Sequence, residues 1–168
     1  MSTEATTEPP LVRWRPFVKE IQIHRLRPMQ ISRRWAFVRD AYRRGLGDFR
    51  VRHESAYTAV LAHLMDERMQ FWMGVVESDG EPNVAGTLFT RVMQDATLGA
   101  RRLAIVAAEV RVPLHPTVFD SILSNLEMFA DSSGCDTIEA MTRHYRLKQA
   151  LKRSGFDEKM TFYSKERT

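Results

Sequence analysis

Apolar positions along this chain repeat with two different periods, and the period changes at nearly every turn-forming cluster. The run Phe17-Val18-Lys19-Glu20-Ile21-Gln22-Ile23-His24-Arg25-Leu26 alternates as a strand does and is ended by Pro28. Ile31, Trp35, Val38 and Tyr42 then recur at i, i+4, i+7 and i+11. This is the apolar stripe of an amphipathic helix, with Arg33, Arg34, Arg39, Arg43 and Arg44 largely off it and Gly45 and Gly47 stopping it. A second helix is predicted from Glu54, where Tyr57, Val60, Leu61, Leu64 and Met65 share a face.

From Met69 to Glu77 the chain is aromatic and β-branched. The turn cluster Ser78 to Asn83 then leads into Val84 to Met93, which predicts a hairpin. After a further turn at Asp95 to Gly99, the long apolar run Leu103 to Val112 reads as a central strand buried on both faces. Thr117 to Asp131 reads as a helix capped by Thr117, and Thr137 to Thr142 as a short strand. A further helix runs into Ser154-Gly155-Phe156, and Lys159 to Lys165 alternates as a last strand. The predicted order is strand, helix, helix, three antiparallel strands, helix, strand, helix, strand.

Composition adds bounds to this pattern. The 168 residues fit one domain over 17–168, after a disordered or extended tail over 1–16 whose first ten residues are polar and acidic and lack the basic and apolar regions of a secretory signal. No apolar run approaches the roughly 18 to 20 residues of a membrane span. Cys135, the single cysteine, excludes an intrachain disulfide and a multi-cysteine zinc site, and fits a reducing, cytoplasmic setting. The five histidines show no metal-ligand spacing.

Charge is segregated: residues 11–53 carry twelve Lys/Arg against Glu20, Asp40 and Asp48, a net +9, whereas residues 54–142 are net −8. A dipolar molecule of this kind can steer an anionic partner. Nucleic acid is disfavoured as that partner, because Trp35 and Tyr42 lie on the apolar stripe and no recognised nucleic-acid motif is present.

The element order, Gly155-Phe156 and Val84-Ala85-Gly86 together resemble the GNAT acyltransferase superfamily over about residues 18 to 165. The short basic helices and the Trp72-containing strand also resemble GNAT-like sequences of bacteriophage genomes. The resemblance implies an α/β (α+β) fold: a mixed, mostly antiparallel central sheet with helices on both faces. It implies an N-acetyltransferase that moves an acetyl group from acetyl-CoA, held in a gap between two splayed strands, to a small-molecule or protein amine.

By the same resemblance, backbone groups of Val110, Arg111 and Val112 and the segment His115, Thr117, Val118 and Phe119 would bind the cofactor. His144 stands where an asparagine is usual. The loop normally rich in glycine is here Val112-Pro113-Leu114-His115-Pro116-Thr117 and contains none; two prolines remove amide donors from it, and Asp120 is expected in the first helical turn. The general acid expected four residues before Gly155-Phe156 falls on Leu151, which leaves Tyr145 as the candidate acid. Glu109, the acid inside the apolar strand, is the candidate base; partial burial would raise its pKa, and an ion pair with Arg111 or Arg91 is the competing role. Its phase matches Leu103, Ile105 and Ala107. A GNAT scaffold that has lost catalysis and serves as a binding or structural module, with a protein partner and even a place in a virion, is the alternative.

Overall fold

The computed structural model describes residues 18–47, 50–78, 80–97, 99–142 and 145–159, leaving aside the side chains of residues 145 and 146. The chain runs β1 (Gln22–Leu26), α1 (Pro28–Arg33), α2 (Trp35–Gly45), α3 (Ser55–Met65), β2 (Met69–Ser78), β3 (Glu81–Gln94), β4 (Arg101–Val110), α4 (Pro116–Ser132), β5 (Thr137–Ala140) and α5 (Tyr145–Arg153). The expected tail over 1–16, the last strand from Lys159 to Lys165 and His144 lie outside the described residues, Lys159 excepted. The helix expected across Ile31 to Tyr42 is divided at Arg34, whose φ of −121° and ψ of 24° leave the helical region. Ile31 and Val38 are nonetheless both fully buried, so the apolar stripe survives the break.

The five strands lie in the order β1-β2-β3-β4-β5, antiparallel throughout except that β5 runs parallel to β4. Helices α1 to α3 cover one face, where Ile31, Val38, Leu64, Phe71 and Phe89 form the first core. On the other face α4 packs Leu123, Leu126 and Ala130 against Trp72 and Leu103. A strand covered on both sides must supply apolar groups to both faces, which is why β2 and β3 alternate between the two cores. A buried polar chain crosses the second face. Trp72 Nε1 donates to Thr90 Oγ1 (2.9 Å), Thr90 Oγ1 to Gln70 Oε1 (2.9 Å), and Gln70 Nε2 to the Glu67 carbonyl (2.7 Å).

Strand β4 departs from its expected form in two ways. Ala107 pairs with Phe89 but Ile105 pairs with Thr90, so Val106 is an extra residue without a partner on β3. The bulge reverses the alternation: Leu103 and Ile105 face α4, while Ala107 belongs to the core under α2. The phase expected for Glu109 therefore fails, and Glu109 shares the α2 side with Ala107 only. Secondly, β5 pairs with β4 only from Arg102 to Ile105, which leaves the rest of that edge unpaired among the described residues. Burial on both faces consequently stops short of the strand end, where Val110 is 64% exposed.

Gly45 closes α2 against β4, since a Cβ there would stand 3.1 Å from the Ala108 amide nitrogen. The absence of a side chain lets the helix end rest on the strand backbone. At the end of α5, Gly155 adopts φ 85° and the Phe156 amide donates to the Leu151 carbonyl (3.0 Å), a Schellman closure that packs Phe156 against the second core. Among the described residues no helix is long and apolar enough to cross a membrane.

Replacing Thr90 by the near-isosteric valine leaves the Trp72 N–H and the Gln70 carbonyl without their partner. A loss of about 1–3 kcal/mol in urea denaturation is expected, and an unchanged midpoint would show that the buried chain adds nothing.

Candidate functional site

The end of β4, the start of α4 and the end of α2 meet beside the unpaired strand edge. The Arg111 amide donates to the Ala85 carbonyl on β3 (2.8 Å). Because backbone groups alternate along a strand, those of Val110 and Ala108 turn to the opposite edge, away from β3. That edge opens where β5 leaves β4 after Ile105, and exposed Val110 and Met141 flank the opening. An extended chain bearing amides could pair there as an added strand would.

The connection from β4 to α4 is arranged differently from the glycine-rich loop that the resemblance implies. His115, not Thr117, is the N-cap residue of α4, and Pro116 occupies the first helical position, where a missing N–H costs nothing. The His115 Nδ1 meets Thr117 Oγ1 at 2.9 Å and accepts from the Thr117 amide at 3.4 Å. The helix thus starts one residue earlier than expected and places Asp120 beyond its first turn, where Ser154 Oγ donates to it at 3.5 Å.

The Val118 amide donates to the His115 carbonyl (2.9 Å), and the His115 amide donates to the carbonyl of Val18 (2.9 Å), which forms a parallel bridge to Leu114. Three amides that would otherwise point at an anion are therefore engaged within the chain. The side chains of Val118 and Phe119 are turned inward, Val118 fully buried and Phe119 against the second core.

Glu109 is 15% exposed and is held by two guanidinium groups. Arg44 Nε donates to one carboxylate oxygen (2.7 Å) and Arg111 Nη2 to the other (3.1 Å). Arg44 in turn pairs with Asp40, which also binds Arg43 at 2.6 Å, and Arg111 lies over the Phe37 ring at 5.4 Å. Partial desolvation pushes the Glu109 carboxyl up, as expected for a strand acid, but the hydrogen bonds and charges of Arg44 and Arg111 together outweigh it. Its pKa is lowered, not raised: Glu109 is a firmly ionised carboxylate. Of the two arginines proposed as partners from the sequence, Arg111 is found on Glu109. Arg44, 65 residues away in the chain, was not foreseen.

Leu151 is buried and has no proton to give. Tyr145 opens α5, and its side chain lies outside the described residues. Burial chiefly raises the Cys135 pKa, so this thiol is not an activated nucleophile. No group of three or more His, Cys, Asp or Glu that could hold a metal ion occurs among the described residues.

No family model and no curated protein matches this sequence. Solved structures do match its shape. A predicted acetyltransferase from Clostridium acetobutylicum, solved with acetyl-CoA, superposes with a TM-score of 0.62 at 13% identity, over 88% of this chain and 96% of that one. A GNAT family acetyltransferase from Staphylococcus aureus gives 0.57 at 13% identity, over 88% and 98%. The chain has the GNAT fold. AAC(6')-Iy, solved with the bisubstrate analogue CoA-S-monomethyl-acetylneamine, gives 0.60 at 13% identity, over 89% and 99%. At this identity the likeness to GNAT enzymes is one of architecture.

The Glu109 clamp sets a pH signature. Because the folded-state pKa is depressed, the clamp's stabilisation is fully present above the unfolded value of about 4.3 and is lost as pH falls through the lower folded value. Glu109→Gln should therefore be less stable than the parent at pH 7, with the gap closing toward acid, in urea denaturation repeated across that range. A gap that stays constant with pH would mean that ionised Glu109 does not contribute.

Proposed function

We propose that this chain is a GNAT-type N-acetyltransferase that uses acetyl-CoA to acetylate a primary amine. The observation carrying this reading is the β4–β5 opening: a strand edge with the backbone groups of Val110 and Ala108 turned into it and Glu109 beside it on the α2 side. Solved neighbours of the same fold include complexes with acetyl-CoA and CoA. The residues present fit the extended arm of that molecule better than its diphosphate, for which the amides of His115, Thr117 and Val118 are already engaged. His115 and the exposed Thr117 would hold the diphosphate end.

Acetyl-CoA, when bound, supplies an activated acyl group as a thioester. The chain's part is to hold the amine beside it, since positioning alone can supply a large share of the rate. Glu109 attracts the ammonium form of the acceptor and can receive a proton from it or from an intervening water. Two arginines hold its pKa low, so it is a weak base that passes the proton on to water rather than keeping it.

A second reading, a GNAT scaffold without catalysis that binds a partner, is favoured by the occupied amides and by buried Leu151 at the position of the usual acid. Titration calorimetry with acetyl-CoA separates the two. The enzyme reading expects a dissociation constant of about 1–10 μM, and no binding at millimolar cofactor would overturn it.

If binding is found, Glu109→Gln should lower kcat with little change in cofactor affinity. Arg44→Ala should raise the Glu109 pKa and shift the acid limb of the kcat/KM profile to higher pH. An acid limb that stays in place would remove Glu109 from proton transfer.

A further inference from the structure

On the face of the sheet that carries Glu109, a groove of about 420 Å³ runs between the start of α2 and the β2–β3 hairpin, lined by Arg34, Phe37, Met73, Val75, Asn83 and Val84 together with Pro82. Its size is that of a small-ligand site, and its wall is mainly apolar with a cation at the edge. Arg34 is exposed and has no carboxylate partner among the described residues. Phe37 links the groove to the glutamate clamp, since Arg111, which bonds Glu109, lies over its ring.

A second observation lies on the same face. Thr87 on β3 pairs across the sheet with Met73 of the groove and with Glu109. It is 5% exposed, and its hydroxyl has no hydrogen-bond partner. A buried hydroxyl without a partner is costly and suits a site that a polar ligand completes. Among the described residues Arg44 and Arg111 share Glu109, and Arg43 and Arg44 share Asp40, which leaves Arg34 as the groove's cation without a carboxylate.

We infer that the acceptor is an apolar α-amino acid, its side chain lying on Phe37, Met73, Val75 and Val84, its carboxylate held by Arg34, and its amine directed to Glu109 and the opening in the sheet. This rests on the acetyltransferase reading and narrows its substrate class. An arginine is suited to the carboxylate because its planar fork can bond both oxygens. In the reaction the amine nitrogen bonds to the acetyl carbonyl carbon as the thioester C–S bond breaks. The ammonium form sheds one proton to Glu109 or water before attack, and a second proton leaves the product nitrogen and balances the departing thiolate.

The test is an acceptor panel with the full chain and acetyl-CoA, read by thiol release and by the mass of the N-acetyl product. Leucine should exceed its decarboxylated counterpart, 3-methylbutylamine, and the polycation neamine by at least about tenfold in kcat/KM, a difference of roughly 1.4 kcal/mol. Arg34→Ala should lower kcat/KM for leucine by a similar factor, mainly through KM, without a matching fall for 3-methylbutylamine. Equal rates for leucine and 3-methylbutylamine, preference for neamine, or no leucine turnover by cofactor-binding protein would overturn this inference alone. Failure to bind acetyl-CoA in calorimetry would overturn the acetyltransferase reading and this inference with it.

Discussion

The structure depends on the extra residue Val106 in β4. Up to Ile105 the strand is hydrogen-bonded on both edges and turns its larger side chains toward α4. At Val106 the alternation reverses and the pairing with β5 ends. A bulge bends its strand and increases the local twist, so an added residue and a parted edge at the same point have a common physical origin. The opening in the sheet, the transfer of Ala107 to the other core and the approach of Glu109 to α2 all follow from that position. Gly45 provides the complementary fit by letting the end of α2 rest on Ala108.

The cost of this arrangement appears in the charges. A carboxylate at the covered end of a strand needs partners, because an unpaired buried charge is far less stable than a paired one. Glu109 finds two arginines, one from its own strand end and one from α2. The clamp fixes its geometry and depresses its basicity at once. In the proposed reaction the same clamp would make Glu109 a weak base, so that role depends on the arginines around the glutamate as much as on the glutamate itself.

Local signals were legible where spacing alone decides structure. The stripe Ile31, Trp35, Val38, Tyr42 is helical because i, i+4 and i+7 share a face, and it survived the break at Arg34 with Ile31 and Val38 fully buried. The hairpin of β2 and β3 and the Gly155-Phe156 closure of α5 were equally readable, since turn residues and a positive-φ glycine act within a few residues. The start of α4 was misplaced by one residue and its cap by two. Thr117 has the residue type of a cap, but Pro116 fits the first helical position and moves the cap to His115. The candidate site was legible only in its strand residues: Glu109 and Arg111 are two apart and visible as a pair, whereas Arg44, Thr87 and Val18 come from distant parts of the chain.

The order and type of the elements from β1 to α5, apart from the division of the first helix at Arg34, the amphipathic faces of the helices and the lack of glycine before α4 could all be read from the chain, because each is a matter of local conformational preference or residue identity. Which face of β4 carries Glu109, whether that acid is raised or lowered in pKa, and which loop amides are bonded within the chain emerge only in three dimensions. The reason is physical. A one-residue bulge leaves almost no trace in a composition of alternating apolar groups, and electrostatic and hydrogen-bond partners are set by distance in space, which brought Arg44 within 2.7 Å of Glu109 and Val18 within 2.9 Å of the His115 amide.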